Sequence, residues 1–485
     1  MVLAAFMGAI EGTIVATAMP SIAAEIGGFS LYSWVFSSFL LMQAVSIPIF
    51  GKVSDLLGRK PAFVTGCVIF LVGSILCGLA PSTEWLVAFR FVQGMGAGAV
   101  QPIITTLAGD LYSLEERGRV QGYLAAVWGV SAILGPLAGG VIVHTVGWQW
   151  IFWMNVPFGV IAAALMILYL HEDVGSKERS IDYPGAVLLL AAVGPLMLAL
   201  TQASEWGLAT SAGLVATSLL AFVLFVRQER RAADPMMHLE LWTNPLIRNA
   251  NLATLTSGVM MIGVVTFLPT YVQGALGGSP LVAGFTLSAM MLGWPIASFT
   301  AGHLIASRGV RGMVRLGGAT VLAGSLLIAL FASTGALGQG IGSFLMGVGL
   351  GLLGTTVIVA IQTSVSWSQR GVATASFMLM RILGNAMGAA LFGGILNFQM
   401  RRYLARNGLA DSVSMDAVRD LMGDAVPSAG RLAAPVLAVL RAGLAGSLSV
   451  VFWGIVAMGV MTLAAAWSIP ELERAPEVPE VPEMG

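Results

Sequence analysis

Long unbroken apolar runs are the feature that most restricts how this chain can fold. Residues 161–170 and 186–200 contain almost no polar side chain. Only 10% of the residues are charged, against roughly 25% in soluble domains, so lipid must surround much of the surface. Helices and closed barrels alone satisfy every backbone group in lipid, and barrel strands alternate polar with apolar residues. The runs therefore predict an all-α polytopic membrane protein.

A spanning helix needs about twenty mainly apolar residues, and fourteen segments meet that requirement. They lie near residues 1–22, 33–50, 61–80, 86–111, 119–144, 150–170, 183–203, 206–226, 246–272, 281–305, 312–333, 336–360, 371–397 and 445–468.

The distribution of basic residues predicts the orientation of these helices. Short cytoplasmic loops collect Lys and Arg. With the N-terminus inside, the loops that become cytoplasmic carry Lys52, Arg59, Lys60, Arg117, Arg119, Lys177, Arg179, Arg227, Arg230, Arg231, Arg308, Arg311 and Arg370. The opposite short loops hold Glu25, Glu84, His144 and Glu205, with no Lys or Arg. An even number of helices then places both termini in the cytoplasm.

An internal repeat divides the chain. GKVSDLLGRK at 51–60 aligns with GHLIASRGVR at 302–311, pairing Gly51 with Gly302 and Gly58 with Gly309. Parallel six-helix repeats are a known transporter architecture, with substrate bound between the halves. We therefore expect two six-helix halves, at 1–172 and 246–470, separated by two inserted helices within 173–231. An external loop at 398–444 and an acidic, proline-rich tail at 471–485 complete the organisation, and we expect the tail to be disordered.

The segment 51–60 also matches the pattern G-x-x-x-D-x-x-G-R-K at every fixed position. It resembles the signature loop of the major facilitator superfamily. Glycine permits a tight turn or a close helix approach, and Asp55 is placed to pair with Arg59 and Lys60 or to cap a neighbouring helix. The hypothesis is a polar latch that forms in one conformation and breaks in another. The alternative is a basic anchor at the membrane surface. The candidate latch residues are Gly51, Asp55, Gly58, Arg59 and Lys60.

The fourth predicted helix carries RFVQGMGAGAV at 90–100, which contains Arg90, Gln93 and Gly94. It resembles the superfamily motif R-x-x-Q-G-x-G-x-A. A charge inside the membrane is a functional candidate by default, and the resemblance implies that Arg90 takes part in proton transfer. The alternative is a structural donor to backbone carbonyls.

The fifth predicted helix carries GVSAILGPLAGG at 129–140. This segment resembles the motif of exporters in the superfamily rather than its importers. Small residues allow close helix packing, and a proline removes a backbone hydrogen bond and bends a helix. We expect a bent, glycine-lined helix that serves as a hinge or seal. The residues concerned are Gly129, Gly135, Pro136, Gly139 and Gly140.

The first predicted helix carries IEGTIVATAMPSIA at 10–23. It resembles the L-D-x-T-I-V-x-x-A-L-P motif of the fourteen-helix drug:proton antiporter family, and departs from it at Glu11, where that family usually has Asp. Desolvation favours the neutral form of a buried carboxyl, which suits reversible protonation, and the charged form would attract a cationic drug. The alternative is a neutral or arginine-paired structural carboxyl. The matching residues are Thr13, Ile14, Val15, Ala18 and Pro20.

Two later segments resemble the same family. The first is 147–159, with Trp148, Trp150, Asn155 and Pro157 matching, and the second is 377–394, with Arg381, Gly384 and Gly388 matching. Arg381 is a second candidate buried charge, interpreted as a counter-charge for proton coupling or substrate. Methionine and aromatic side chains suit a promiscuous pocket but also ordinary packing. The clusters of interest are Met260, Met261, Met290, Met291 and Trp294.

Together these patterns predict a proton-coupled multidrug antiporter of the plasma (inner) membrane that exports apolar or cationic amphiphilic compounds by alternating access. The proton-motive force would drive it, without a cofactor. The alternative is an exporter of lipid or a cell-envelope precursor, with a periplasmic partner on 398–444. The family resemblance implies a monomer. The four histidines show no metal-ligand spacing and no phosphate-binding loop occurs, so an enzyme is disfavoured, as is a channel.

Overall fold

The computed structural model describes residues 1–26, 31–172, 182–232, 235, 239–332, 335–408 and 434–471. Every regular element in these ranges is a helix. The helices are α1 (Val2–Ile26), α2 (Tyr32–Leu57), α3 (Arg59–Gly78), α4 (Thr83–Leu111), α5 (Leu114–Thr145), α6 (Trp150–Trp153), α7 (Asn155–Tyr169), α8 (Tyr183–Glu229), α9 (Glu240–Thr243), α10 (Pro245–Thr270), α11 (Pro280–Leu330), α12 (Ala336–Thr363), α13 (Arg370–Arg406) and α14 (Ala434–Trp467). A π-helical turn, Tyr271–Ala275, follows α10, and a 3₁₀ turn, Trp367–Gln369, precedes α13.

Two of the long helices fold back on themselves at glycine. Gly207 in α8 has φ 77° and Gly309 in α11 has φ 70°. Glycine adopts these positive φ values without the steric cost that a Cβ would impose. Each helix therefore contributes two apolar segments, joined by a sharp turn rather than by a loop.

Eleven helical segments of the described chain are long and apolar enough to cross a membrane. The prediction of fourteen is not confirmed by this count, which does not include α1, α4 and α5. Helix α4 contains Arg90, Gln93 and Gln101 in a glycine-rich sequence, and these residues lower its hydropathy.

The predicted boundaries need two corrections near the C-terminal end. The external loop was placed at 398–444, but α13 continues to Arg406 and α14 begins at Ala434. Arg401, Arg402 and Arg406 make the end of α13 polar, which is why hydropathy alone ends that helix too early. The centre of the predicted loop, 409–433, the tail beyond 471 and the segment 173–181 lie outside the described residues.

The repeat glycines lie where the N-terminal half (α1–α7) crosses the C-terminal half (α10–α14). A Cβ built on Gly51 of α2 would lie 2.5 Å from the Cβ of Ala375 in α13. A Cβ on Gly302 of α11 would lie 2.7 Å from the backbone of Gly118 and Arg119 in α5. Equivalent glycines thus allow close backbone contact at both crossings. The inserted helix α8 packs on the α2–α13 side, where the rings of Trp34 and Trp206 are 5.5 Å apart.

Glycine also sets the spacing of helices within the N-terminal half. A Cβ on Gly96 of α4 would lie 2.2 Å from the backbone nitrogen of Phe70 in α3. No side-chain movement relieves a contact with backbone, so the two helices would have to separate. Nearby, Cys67 and Cys77 are both free and fully buried, so each thiol becomes reactive only when this packing opens.

We expect Gly96→Ala to destabilise the protein by about 1–3 kcal/mol, the usual cost of overpacking a tight contact. Thermal unfolding of the purified protein, followed with a thiol-reactive fluorophore that labels Cys67 and Cys77 as they become exposed, measures the effect. Gly213→Ala in α8 is the matched control, because a Cβ there meets nothing within 4 Å. Equal transition temperatures for the two variants would contradict this account.

Candidate functional site

A buried ion pair lies at the centre of the N-terminal half. Glu11 of α1 is 0% exposed and Arg90 of α4 is 2% exposed. The guanidinium of Arg90 donates from Nη1 to Oε1 of Glu11. It also donates to Oε1 of Gln93 at 2.7 Å and to the backbone oxygen of Val35 at 3.1 Å. One side chain therefore joins α1, α2 and α4.

Further polar side chains complete this arrangement. The Nδ2 atom of Asn155 donates to Oε2 of Glu11 at 2.6 Å, which connects α7. The Nε2 atom of Gln93 donates to Oγ of Ser74 at 2.8 Å, which connects α3. We call Glu11, Ser74, Arg90, Gln93 and Asn155 the polar cluster. Its members come from four helices, and the bond from Arg90 to Val35 adds α2. Both oxygens of Glu11 are hydrogen-bonded.

Aromatic rings cover the guanidinium. The Cζ atom of Arg90 lies 4.2 Å from the ring centroid of Phe39 and 6.0 Å from that of Phe152, distances suited to cation–π attraction. In this conformation Glu11 is paired with Arg90, and proton coupling through Glu11 stays a prediction. In this conformation Glu11 has no exposed surface, so exchange of a proton with water requires the helices to move.

The predicted latch is closed. Asp55, at the end of α2, accepts hydrogen bonds from the backbone nitrogens of Gly371 and Val372, each at 2.8 Å. These nitrogens begin α13 in the opposite half, so Asp55 caps that helix, where a negative charge is favourable. Asp55 also forms an ion pair with Arg59. Only Gly58 provides the turn, with φ 98°, because residues 51–57 are helical.

A carboxylate missed by the sequence analysis extends the latch. Asp110, near the end of α4, accepts from Nε of Arg59 at 2.9 Å and from Nη1 of Arg370 at 3.0 Å. Arg59 further donates to the backbone oxygen of Trp367 at 3.0 Å. Arg59 and Arg370 lie in different halves, so Asp110 bridges them. The available signal was an acidic residue ending an apolar helix.

Lys60 has a different role from the one predicted. Its side chain makes no ion pair within the described part of the chain, whereas Arg59 supplies the charge that Asp55 needs. The backbone nitrogens of Arg59 and Lys60 instead donate to the carboxylate of Glu172, at 2.9 and 2.8 Å. Glu172, which follows α7, thus caps the start of α3.

The glycines of the predicted exporter motif do not form one uniform face. A Cβ on Gly135 would lie 2.0 Å from Oγ1 of Thr13 in α1, whereas one on Gly129 would lie 3.2 Å from the backbone of Met291 in α11. Gly140 has open space and Gly139 is buried. The side chain of Pro136 lies outside the description. Gly94 of the helix-four motif allows α4 to lie close to α2, because a Cβ built there would lie 2.4 Å from the backbone oxygen of Phe39.

A small cavity of about 50 Å³ lies within the C-terminal half. Its wall consists of Thr254, Ser257, Gly258, Met261, Trp294, Leu350, Leu353, Gly354, Phe377 and Arg381. The predicted pocket residues Met261 and Trp294 therefore line a cavity, while Met260 and Met290 are fully buried in the apolar core. Arg381 lies far along the sequence from the polar cluster and is not part of it.

The family model described as Major Facilitator Superfamily matches residues 1–389. This chain belongs to that family. It is 33% identical over 402 residues to the multidrug transporter protein MdtP of Bacillus subtilis, covering 82% of this chain and 74% of that protein. It is 32% identical over 399 residues to multidrug resistance protein 3 of the same organism, covering 81% and 78%.

The fold also matches a solved structure of the proton:xylose symporter XylE, with TM-score 0.64, 12% identity and coverage of 97% and 94% of the two chains. At this identity the match shows the fold alone. The protein is thus a multi-pass integral membrane protein with the major facilitator fold, from a family of transporters rather than enzymes. Its relatives include named multidrug transporters.

We expect Asp55→Asn to open the latch, because it removes the ion pair to Arg59 and weakens the cap on α13. Hydrogen bonds to a charged group contribute about 1.5–3 kcal/mol, so the closed state should lose about tenfold or more in relative population. Spin labels on Leu57→Cys and Ser366→Cys, both exposed sites flanking the latch, report the separation. The exposed Glu84→Gln is the control, and an unchanged distance distribution in Asp55→Asn would exclude the latch.

Proposed function

We propose that the protein is a proton-coupled exporter of apolar and amphiphilic drugs that works by alternating access between its two halves. The proposal includes fourteen spanning segments: the eleven recognised by hydropathy together with the long helices α1, α4 and α5. The observation that carries it is a fully buried carboxylate, Glu11, held by Arg90 in a chain related to named multidrug transporters.

Protonation of Glu11 is the proposed chemical event. A neutral acid no longer compensates the guanidinium of Arg90, and removing one partner of a buried ion pair typically costs about 3–5 kcal/mol. A shift of about 5.5 kcal/mol converts a 1:99 population ratio into 99:1. Loss of the Glu11–Arg90 pair thus supplies much of the energy needed to change conformation.

The polar cluster transmits this change because its members belong to different helices. Arg90 keeps its bond to Val35 of α2, the helix whose end carries Asp55 of the latch. Movement of α2 relative to α1 therefore bears directly on the contact with α13. Protons and substrate that favour opposite states of this contact are coupled, because each ligand shifts the population against the other.

Export, rather than import, is supported by the resemblance of 129–140 to an exporter motif, and the multidrug names of two relatives support drugs as the cargo. The same names favour drugs over the lipid or envelope-precursor alternative. We place the latch and both termini on the cytoplasmic side of the plasma membrane, following the basic residues of the short loops. A monomeric state and a periplasmic partner near 398–444 stay predictions.

The proposed substrate class is narrower than the sequence suggested. The attraction of cationic drugs was assigned to a free carboxylate at Glu11, but Arg90 neutralises that charge in the present conformation. A cation would have to displace Arg90 to reach it. Apolar and amphiphilic compounds need no such exchange, so they are the preferred cargo in this proposal.

We expect Glu11→Gln to abolish coupling, because glutamine preserves shape but cannot bind or release a proton. Reconstituted vesicles with an imposed pH gradient and trapped pyranine measure it. Addition of N-phenyl-1-naphthylamine, an apolar dye, should dissipate the gradient with the wild type and not with Glu11→Gln. The cationic dye ethidium serves as a comparison substrate.

Glu25→Gln is the matched control, because Glu25 is a carboxylate on the same helix but is exposed. It should retain wild-type dissipation. Full dye-driven proton movement in Glu11→Gln would place the coupling site elsewhere. No dye-driven movement in the wild type, with folded protein present, would contradict proton-coupled export of these compounds.

A further inference from the structure

Arg381 differs from the other arginines held inside the helical bundle. Arg59 is paired with Asp55 and Asp110, Arg90 with Glu11, and Arg370 with Asp110. Arg381 has no carboxylate and no hydrogen-bond acceptor among the described residues. It lies within α13, a spanning helix, where an uncompensated charge is costly and marks a functional position by default.

The described wall of the cavity beside Arg381 contains hydrogen-bond donors that have no acceptor. The hydroxyl of Ser257 donates to the backbone oxygen of Thr254 at 2.9 Å, and the hydroxyl of Thr254 donates to Ala250 at 2.8 Å. Their hydrogens are therefore already engaged. Across the described wall, the donors without a partner are the guanidinium of Arg381 and the indole N–H of Trp294. A group rich in acceptors and negatively charged is the complement of this wall.

The size of the cavity restricts that group. A single water requires about 10–15 Å³ of cavity volume. A cavity of about 50 Å³ therefore accommodates a group of three or four heavy atoms. A carboxylate or a sulfonate has this size, whereas a whole drug does not. The planar guanidinium also matches the paired oxygens of such groups.

The remainder of the wall is apolar. Met261, Leu350, Leu353 and Phe377 contribute apolar side chains, and Gly354 leaves open space, because a Cβ there meets nothing within 4 Å. A ligand that satisfies both parts carries an acidic group at one end and an apolar or aromatic body at the other. The methionine and the aromatic rings adapt to bodies of different shape.

We infer that Arg381 and Trp294 form a binding site for the acidic group of amphiphilic organic anions, with the adjoining part of the apolar body against the apolar wall and the rest of the body outside the cavity. This inference rests on the proposed export function and adds a substrate class to it. No carboxylate among the described residues pairs with Arg381, so a bound anion compensates the positive charge of its guanidinium. The same chemistry belongs to a soluble acid and to an anionic lipid headgroup.

Two dyes with the same aromatic body test this site. 8-Anilino-1-naphthalenesulfonate has the sulfonate that N-phenyl-1-naphthylamine lacks. Affinities are measured with the full-length protein in phosphatidylcholine nanodiscs, with empty discs subtracted. We expect Arg381→Met to weaken sulfonate binding by about tenfold to a hundredfold, the usual effect of losing a charge-assisted hydrogen bond. Binding of the neutral dye should stay within about twofold.

Matched variants separate binding from folding. Arg401→Met removes an arginine from the same helix at an exposed position and should leave both affinities unchanged. Arg381→Lys keeps the positive charge and should retain part of the preference for the sulfonate. Trp294→Phe, which removes one donor but keeps the ring, should weaken only the sulfonate dye.

Two results would overturn the anion site: sulfonate affinity unchanged in Arg381→Met, or both dyes weakened equally in Arg381→Met and Arg381→Lys. Proton movement driven by the neutral dye is measured on the same samples. Its persistence in the wild type would leave the proposed export function standing when the anion site fails. Competition by phosphatidylglycerol in the discs would identify a lipid headgroup as the source of the anion, and its absence a soluble acid.

Discussion

The pairing of buried charge is the constraint on which the rest of this structure depends. A charged side chain among lipid-embedded helices costs several kcal/mol unless it is compensated and hydrogen-bonded. Arg90 meets that requirement by bonding to Gln93 on its own helix, to Glu11 of α1 and to Val35 of α2. The helices of the N-terminal half are thereby held in one relative arrangement by polar contacts, and the apolar packing around them adds no comparable directionality.

The same rule operates between the two halves, with a different consequence. Asp110 compensates Arg370, and Asp55 caps α13, only while α2 and α4 lie beside the beginning of α13. The pairs of Arg59 with Asp55 and Asp110 lie within the N-terminal half. When the halves separate here, water replaces the protein partners and the cost of unpaired charge disappears. An ion pair that forms between packed surfaces and separates in water suits a closure that must reverse. The enclosed Glu11–Arg90 pair becomes hydrated only if the helices around it move.

Much of this arrangement was readable from the sequence because motifs specify short-range chemistry. The family, the helical membrane fold and the opposition of Asp55 to Arg59 all followed from local patterns. The partner of Glu11 did not, since Arg90 is 79 positions away in the chain and only folding brings them together. Asp110 was missed for the same reason. Lys60 was predicted to pair with Asp55, but the neighbouring Arg59 pairs with both Asp55 and Asp110. The end of α13 was misplaced because hydropathy stops where the helix leaves the lipid.

The glycine crossings between the halves have a consequence for kinetics. At Gly51 against Ala375, and at Gly302 against Gly118, backbones meet with little or no side chain between them. Helices whose side chains interdigitate must exchange rotamers before they slide, which adds to the activation barrier. At these two crossings there is little side chain to exchange, so they add little steric resistance to a relative rotation of the halves. In the proposed alternating access, we therefore expect the breaking of the ionic contacts between the halves, and not the separation of these two crossings, to limit the rate.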